Sequence, residues 1–183
     1  MGHHYIDSGK VFSDVIFPDE SRLQIHDGQC SDSSQYTGGI VATTKKERAA
    51  LTALAKDAKR SAYAIYSKFR VGAALLTQGG EIFQGCNVEN ASYGLTICAE
   101  RNAVFQAVAR GKRKFRSIAI ASDDKGFLTP CGACRQVLAE FAPHLEIVLT
   151  NSVGHSKVTS LDKLFPGPPD LKKLSRRTPG RKK

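Results

Sequence analysis

The chain has 183 residues, of which 41% are hydrophobic and 24% are charged, a size and composition that fit one globular domain with tails and exclude wholesale disorder. No apolar run approaches the ~18 residues that span a bilayer, and the first residues lack the apolar core of a signal peptide, so we expect a cytoplasmic protein without a membrane partner. The formal net charge of +10 favours, at first sight, a nucleic-acid binder.

The charge is unevenly distributed along the chain. Residues 1–44 carry two basic and six acidic side chains, residues 45–171 carry eighteen basic and eleven acidic ones, and residues 172–183 carry seven basic side chains and no acidic one. We therefore divide the chain into an irregular N-terminal extension (1–44), one domain (45–171) and a basic, disordered tail (172–183). A nuclear location or a nucleic-acid partner would depend on that tail alone.

The first half of the domain predicts a helix followed by a hairpin. Residues 45–66 combine abundant alanine with an apolar stripe, and Thr44 stands where an N-cap is expected. Residues 71–77 are a short apolar run that is typical of a buried strand. After a turn with two glycines, residues 81–86 are predicted to return as its antiparallel partner.

The second half of the domain predicts helices and strands in alternation. The predicted helices are residues 98–110, residues 131–141 with Thr129 as a cap, and residues 160–165; the predicted strands are residues 116–122, residues 145–150 and a last one at Val158 and Thr159. Strands separated by single helices imply crossover connections and helices on both faces of the sheet. We predict an α/β fold, a three-layer α/β/α sandwich with a mixed, roughly five-stranded sheet.

Three of the five cysteines have a spacing that metal sites use. Cys131 and Cys134 are three residues apart and share one helix face, and Cys98 holds the matching position at the start of the preceding helix. Free N–H groups and the dipole at a helix N-terminus stabilise thiolates. Three such thiolates fit zinc, whereas an odd number of cysteines in a chain of this size argues against a disulfide framework.

The number of ligands decides what such a zinc site can do. With three protein ligands, the fourth position is open to a water molecule, whose pKa zinc lowers. Glu100, two residues after Cys98, is then the candidate catalytic acid and base. If Cys86 is a fourth ligand, the site is closed and structural; a redox C-x-x-C pair is the other alternative. Arg101 is predicted to offset the negative charge of three thiolates on one zinc ion.

The paired motifs C-A-E and P-C-x-x-C resemble those of zinc nucleoside deaminases. The neighbouring segments are similar to the small homotetrameric cytidine deaminases over residues 45–165. These segments are YSKFRVGAALL (66–76), IFQGCNVENASY (82–93), ICAERNAVFQAVARG (97–111), FRSIAIASD (115–123) and TPCGACRQVLAEF (129–141). The resemblance implies one zinc ion per subunit and hydrolytic deamination of cytidine and deoxycytidine to uridine and deoxyuridine in pyrimidine salvage.

The resemblance also implies roles for single residues. Glu100 moves protons to N3 and to the departing amine, and the backbone N–H of Ala99 contacts O2 of the base. Asn87 and Glu89 match the pair that binds the ribose hydroxyls, and Phe69 matches an aromatic residue that packs against the base.

Further matches concern neighbouring subunits. Ala91 and Tyr93 match a loop that reaches the active site of an adjacent subunit, which implies a homotetramer with shared sites. Phe165 aligns with an apolar residue at a helix end, and not with the family phenylalanine that enters a neighbouring site. Cys86 matches a position that holds no metal ligand in the family.

The role of Arg70, where the sequence departs from the family, and two alternative functions remain open at this point. Arg70 replaces a small or uncharged residue, so it either favours a phosphate on the substrate or points outward at the strand end. One alternative function is deamination of a cytosine nucleoside antibiotic, as in blasticidin deaminases; the intact Asn87 and Glu89 pair favours the ordinary nucleoside. The other is an RNA- or DNA-binding cytosine deaminase that uses the basic tail.

Overall fold

The structure, a computed structural model, describes residues 42–168. The predicted extension, apart from residues 42–44, and the predicted basic tail lie outside the described residues. Within residues 42–168 no helix combines the length and the apolar character needed to cross a membrane.

The described residues form four α-helices, five strands and one turn of 3₁₀-helix at Tyr93–Leu95. In chain order the elements are α1 (Lys45–Arg60), β1 (Val71–Thr77), β2 (Ile82–Cys86), α2 (Ala99–Ala109), β3 (Phe115–Ser122), α3 (Gly132–Phe141), β4 (Glu146–Thr150), β5 (Ser156–Ser160) and α4 (Leu161–Leu164). The predicted order of elements is confirmed.

The five strands form one mixed sheet in the order β2-β1-β3-β4-β5. β3 and β4 are parallel, whereas the other three neighbouring pairs are antiparallel. The parallel pair is the one connected through α3, as expected because a parallel pair needs a crossover connection. The predicted α/β class and mixed sheet are confirmed.

Helices cover both faces of this sheet. On one face, Leu51 and Ala55 of α1 pack with alternate residues of the central strands, among them Ala74 and Ala119. On the other face, α2 and α3 bury their apolar residues against the remaining set of strand side chains, which includes Leu75 and the other members of the larger core. Successive strand residues face opposite sides of the sheet, and helices cover both sides, so β1 is buried along its whole length. This arrangement is the predicted three-layer sandwich.

The first helix begins as predicted and ends earlier than predicted. The Thr44 hydroxyl accepts a hydrogen bond from the Glu47 backbone N–H, and the Glu47 carboxylate accepts one from the Thr44 N–H, which forms a capping box. The prediction that the helix continues to residue 66 is wrong. Tyr63 instead pairs with the chain after β2, donating to the Asn87 carbonyl and accepting from the Glu89 N–H. This long-range pairing overrides the helix propensity of the alanine-rich segment.

Two further details concern helix ends. The N-cap of α3 is Cys131 and not Thr129, whose hydroxyl instead accepts a hydrogen bond from Arg135 of that helix. Phe165 is the C-cap of α4 and packs half-buried against the larger core, as the sequence predicted.

Candidate active site

The three predicted metal ligands come together where α2 and α3 begin. Cys98 is the N-cap of α2, Cys131 is the N-cap of α3, and Cys134 lies in the first turn of α3. The Cys131 Sγ atom lies 3.8 Å from that of Cys98 and 3.4 Å from that of Cys134. All three sulfur atoms lie within 4.8 Å of one another.

These separations fit a tetrahedral metal site. Zinc binds thiolates at about 2.3 Å, which places two sulfur ligands of a tetrahedral site about 3.8 Å apart. The donors are soft thiolates at helix N-termini, where the positive dipole end and the free N–H groups favour negative charge. The three cysteines therefore have both the geometry and the chemistry to hold zinc.

The fourth cysteine of the described region does not join this group. Cys86 lies on β2, and its thiol donates a hydrogen bond of 3.4 Å to the Ser61 carbonyl oxygen. Burial raises the pKa of Cys86, which disfavours the thiolate that a metal requires. Among the described cysteine, histidine, aspartate and glutamate residues, only Cys98, Cys131 and Cys134 form a group that could hold a metal ion. The described geometry therefore favours an open site with three protein ligands over a closed site with Cys86 as the fourth.

The thiols differ in their readiness to ionise. A hydrogen bond from Cys134, supported by others from Arg101 and Cys131, lowers the pKa of Cys98 to about 5 although burial acts in the opposite direction. The same contact with Cys98 raises the pKa of Cys134 above its ordinary value, and burial adds to this increase. The opposite shifts of Cys98 and Cys134 arise from their mutual contact, so the two thiols ionise as a coupled pair in which Cys98 is the more readily ionised.

Glu100 is a buried carboxyl group beside the thiols. It lies in the first turn of α2 and is only 4% exposed. Burial raises the pKa of Glu100 to about 7, and the negative charge of Cys98 acts in the same direction. A carboxyl group with a pKa near neutrality both donates and accepts protons readily, which is what acid–base catalysis requires.

Arg101 lies against the sulfur cluster, as predicted. One guanidinium nitrogen, Nη2, donates hydrogen bonds to the Thr96 carbonyl oxygen at 2.9 Å and to the Cys98 Sγ at 3.6 Å. The hydrogen bond to Cys98 raises the pKa of Arg101, so the guanidinium stays charged. Its buried Nε–H has no hydrogen-bond partner within residues 42–168, a cost that the attraction between the guanidinium and the thiolates offsets.

We expect Arg101→Gln to weaken zinc binding by about tenfold or more, because it removes the cation and its hydrogen bond to a ligand sulfur. Arg101→Lys keeps the charge and loses the planar donor, so its zinc affinity should lie between those of the wild type and Arg101→Gln. Zinc dissociation constants from competition with a chelator provide the measurement. Arg110→Gln, at the exposed C-terminal end of the same helix, is the control. Unchanged zinc affinity in Arg101→Gln would contradict this role.

Asn87 is buried between the end of β2 and the start of β1. Its Oδ1 accepts a hydrogen bond of 2.8 Å from the Val71 N–H, and its Nδ2 donates one of 3.0 Å to the Phe69 carbonyl oxygen. Each of these atoms can form a second hydrogen bond. The side chain therefore fixes the chain around Phe69 and keeps capacity for a ligand.

Glu89 organises the loop that precedes Phe69. Its carboxylate accepts hydrogen bonds from the backbone N–H groups of Tyr66 and Ser67 and a short one from the Ser67 hydroxyl. Lys68 in this loop has a φ of 57°, in the left-handed region that is unfavourable for lysine. The Ser67 hydroxyl in turn accepts from the Phe69 N–H. Sequence reasoning missed Ser67, whose only signal is its position two residues before Phe69.

The remaining predicted residues have the following environments. Phe69 is half-buried against the larger core, and Ala99 opens α2, where its backbone N–H has no partner within the helix. Ala91 is exposed, and Tyr93, in the 3₁₀ turn, is 79% exposed.

Arg70 forms an ion pair of 3.0 Å with Asp123, which also pairs with Lys59 at 2.8 Å. The guanidinium thus has an internal partner in place of a phosphate.

The chain matches a family model described as "Cytidine and deoxycytidylate deaminase zinc-binding region" over residues 45–150. It is 50% identical over 118 residues to "Cytidine deaminase" of Sporosarcina psychrophila, covering 64% of this chain and 87% of the relative. It is 51% identical over 114 residues to "Probable cytidine deaminase" of Dictyostelium discoideum, covering 62% and 77%. A crystal structure of cytidine deaminase from Burkholderia pseudomallei is 52% identical with a TM-score of 0.65, covering 69% of this chain and all of that one.

Proposed function

The chain belongs to the cytidine and deoxycytidylate deaminase family, and on that premise we propose that it hydrolyses cytidine and deoxycytidine to uridine and deoxyuridine with release of ammonia. The observation that carries this proposal is the buried Glu100 carboxyl group beside three thiols spaced for one zinc ion. The chain is then a hydrolase that acts on the C–N bond of a cyclic amidine and serves pyrimidine salvage. We propose one zinc ion per subunit.

Cys98, Cys131 and Cys134 would hold this zinc ion, and Arg101 would offset the surplus negative charge of three thiolates around it. When bound, zinc supplies a Lewis acid that acidifies a water molecule for addition to C4 of the base. The chain's own residues keep this centre anionic, partly buried and fixed between two helices. Because residues 42–168 supply three ligands to this group, one position would stay open for chemistry.

Glu100 would carry the protons of the reaction. Hydrolytic deamination takes both protons of one water molecule and delivers one to the ring nitrogen N3 and the other to the departing amine, while the water oxygen becomes the carbonyl oxygen at C4. A single carboxyl group can make these transfers in turn if it loses and gains a proton near neutral pH, and burial raises the pKa of Glu100 to about 7. Its low exposure also limits exchange of these protons with bulk water.

The substrate contacts of the other predicted residues are part of the same proposal. The backbone N–H of Ala99 would bind O2 of the base, and Phe69 would pack against the ring. Asn87 and Glu89 would bind the ribose hydroxyls; both lie beside the loop that leads to Phe69 and can order it at the same time.

We expect Glu89→Gln to raise the KM for cytidine about tenfold and to change kcat much less, because a ribose contact acts on binding and lies away from the reacting carbon. Steady-state kinetics at saturating zinc measure KM and kcat separately. Glu140→Gln, an exposed change on α3, is the control with unchanged KM. A fall in kcat at constant KM would place Glu89 outside the ribose site.

A homotetramer with shared active sites is the proposed assembly. Large apolar side chains that a soluble monomer would normally cover are exposed around the site and on α2: Tyr63, Ile65, Tyr66, Val88, Tyr93, Leu95 and Phe105. Ala91 and Tyr93 would contribute to the site of a neighbouring subunit. Sedimentation of the intact chain tests the assembly.

The substrate class is tested by offering cytidine, CMP, blasticidin S and cytosine-containing RNA to the zinc-loaded chain. We expect cytidine to be the preferred substrate and RNA to be inert. The Arg70–Asp123 ion pair supports a free nucleoside over a phosphorylated one. Preferred turnover of CMP or of RNA would overturn this choice. RNA binding that is steeply salt-dependent and lost without residues 172–183 would assign the tail to nucleic acid.

A further inference from the structure

Helix α2 lies unusually close to strand β2 at Gly85. A Cβ atom added to Gly85 would lie 2.4 Å from the Ala99 carbonyl oxygen and 2.5 Å from the Ala103 nitrogen, whereas ordinary contacts begin at 3.4 Å. Those two atoms are four residues apart, so they are the partners of a helical hydrogen bond in the first turn of α2. The glycine therefore lets the strand backbone touch the turn that contains Glu100.

Two side chains of α2 hold the helix on the same strand. Asn102 Nδ2 donates a hydrogen bond of 3.2 Å to the Cys86 carbonyl oxygen, and Gln106 Nε2 donates one of 2.9 Å to the Gln84 carbonyl oxygen. The two acceptors flank Gly85 along β2. Asn102 is nearer the site, because its backbone N–H also donates to the Cys98 carbonyl oxygen at 3.0 Å.

The position of α2 matters because the site is divided between two helices. Cys98 and Glu100 belong to α2, whereas Cys131 and Cys134 belong to α3. A displacement of α2 relative to the sheet therefore changes the separation between Cys98 and the other two sulfur atoms. A methyl group at Gly85 requires a movement of about 1 Å, and misplacements of this size are costly in catalytic sites.

We propose that Gly85 and Asn102 are positioning residues that set the placement of Cys98 and Glu100 relative to the α3 cysteines. The proposal rests on the proposed function of these residues as zinc ligands and acid–base group. Neither Gly85 nor Asn102 is among the proposed metal ligands or substrate contacts. Their effect acts through the first turn of α2.

A second glycine supplies a matched control on the opposite face of the sheet. A Cβ atom at Gly72 of β1 would lie 2.2 Å from the Ala55 carbonyl oxygen and 2.3 Å from the Lys59 nitrogen, again a pair four residues apart in a helix. That helix is α1, which carries none of the proposed site residues. The two glycines thus permit the same close contact, and only one of them faces the helix with site residues.

The experiment compares Gly85→Ala with Gly72→Ala in the full chain. Zinc dissociation constants come from chelator competition, amide hydrogen exchange of residues 99–103 is measured on the metal-free protein, and thermal unfolding reports stability. We expect both variants to lower stability. Gly85→Ala should weaken zinc binding at least tenfold and speed exchange in the first turn of α2, whereas Gly72→Ala should leave zinc binding within twofold.

A second pair keeps the test decisive if Gly85→Ala does not fold. Asn102→Ala and Gln106→Ala each remove one hydrogen bond from α2 to β2, and only Asn102→Ala is expected to weaken zinc binding and lower kcat. Equal zinc affinities within both pairs would overturn the positioning role. Absence of zinc binding by the wild-type chain would instead overturn the proposed function, and the exchange rates of the metal-free variants would still decide the positioning of α2.

Discussion

Glu100→Gln is expected to lower kcat for cytidine by about 10²–10⁴-fold while the variant keeps its zinc. The substitution preserves the size of the side chain and removes its ability to exchange protons. Glu100 is buried in the first turn of α2, and its carboxyl group is not part of the group of three thiols that could hold metal. Activity and zinc content measured on the same preparation provide the test.

Two observations would contradict this division of roles. Loss of zinc from Glu100→Gln would mean that the carboxylate is a ligand, and full activity would mean that another group moves the protons. Glu140→Gln is the control, since this glutamate is exposed on α3. It should retain both zinc and activity.

Replacing any one of Cys98, Cys131 or Cys134 with alanine is expected to abolish deamination through loss of zinc. Two thiolates bind the ion much more weakly than three, and the metal stabilises only the folded chain. When free zinc is about a hundred times its dissociation constant, the wild type gains about 2.7 kcal/mol of unfolding free energy that the variants lack. Metal analysis and thermal unfolding with and without zinc measure the two effects.

Cys86→Ala is the matched control for these substitutions. Its thiol donates to the Ser61 carbonyl oxygen and lies outside the group that could hold metal. The variant should therefore keep its zinc and its activity. Loss of zinc from Cys86→Ala would make Cys86 a fourth ligand, and the proposed open site would be wrong.

The fold was predictable where local pattern and tertiary structure agree. The apolar run of β1 and the glycine turn after it indicate a hairpin, and the structure contains it. The end of α1 was not predictable, because the alanines in residues 61–66 and the apolar stripe that continues to Ile65 favour a helix as long as the partner strand is unknown. The backbone of Tyr63 pairs with residues 87–89, more than twenty positions away, and this pairing ends the helix.

The cluster of Cys98, Cys131 and Cys134 was predictable for a different reason. Three cysteines at two helix starts have a donor chemistry and a spacing that few other sites share, and the structure brings their sulfur atoms together. The contacts by which Asn87 and Glu89 order the chain around Phe69 were not predictable. Their hydrogen bonds to the backbone of residues 66–71 depend on how the chain after β2 returns to the start of β1.

The close contact between Gly85 and α2 could not be predicted from the sequence either. In the sequence, this glycine is one of sixteen and carries no motif of its own. Only the distance to the first turn of α2 distinguishes it from a turn glycine. The proposed placement of Cys98 thus depends on a residue that has no side chain.

The central claim is that one zinc ion held by three cysteines makes this chain a cytidine deaminase. The most direct test is to remove zinc from the full chain, return it in steps, and follow uridine and ammonia formed from cytidine. We expect activity to be absent without metal and to rise in proportion to bound zinc until one ion is bound per chain. Cytidine turnover that does not depend on bound zinc, or a zinc-loaded chain that forms no uridine, would contradict the claim.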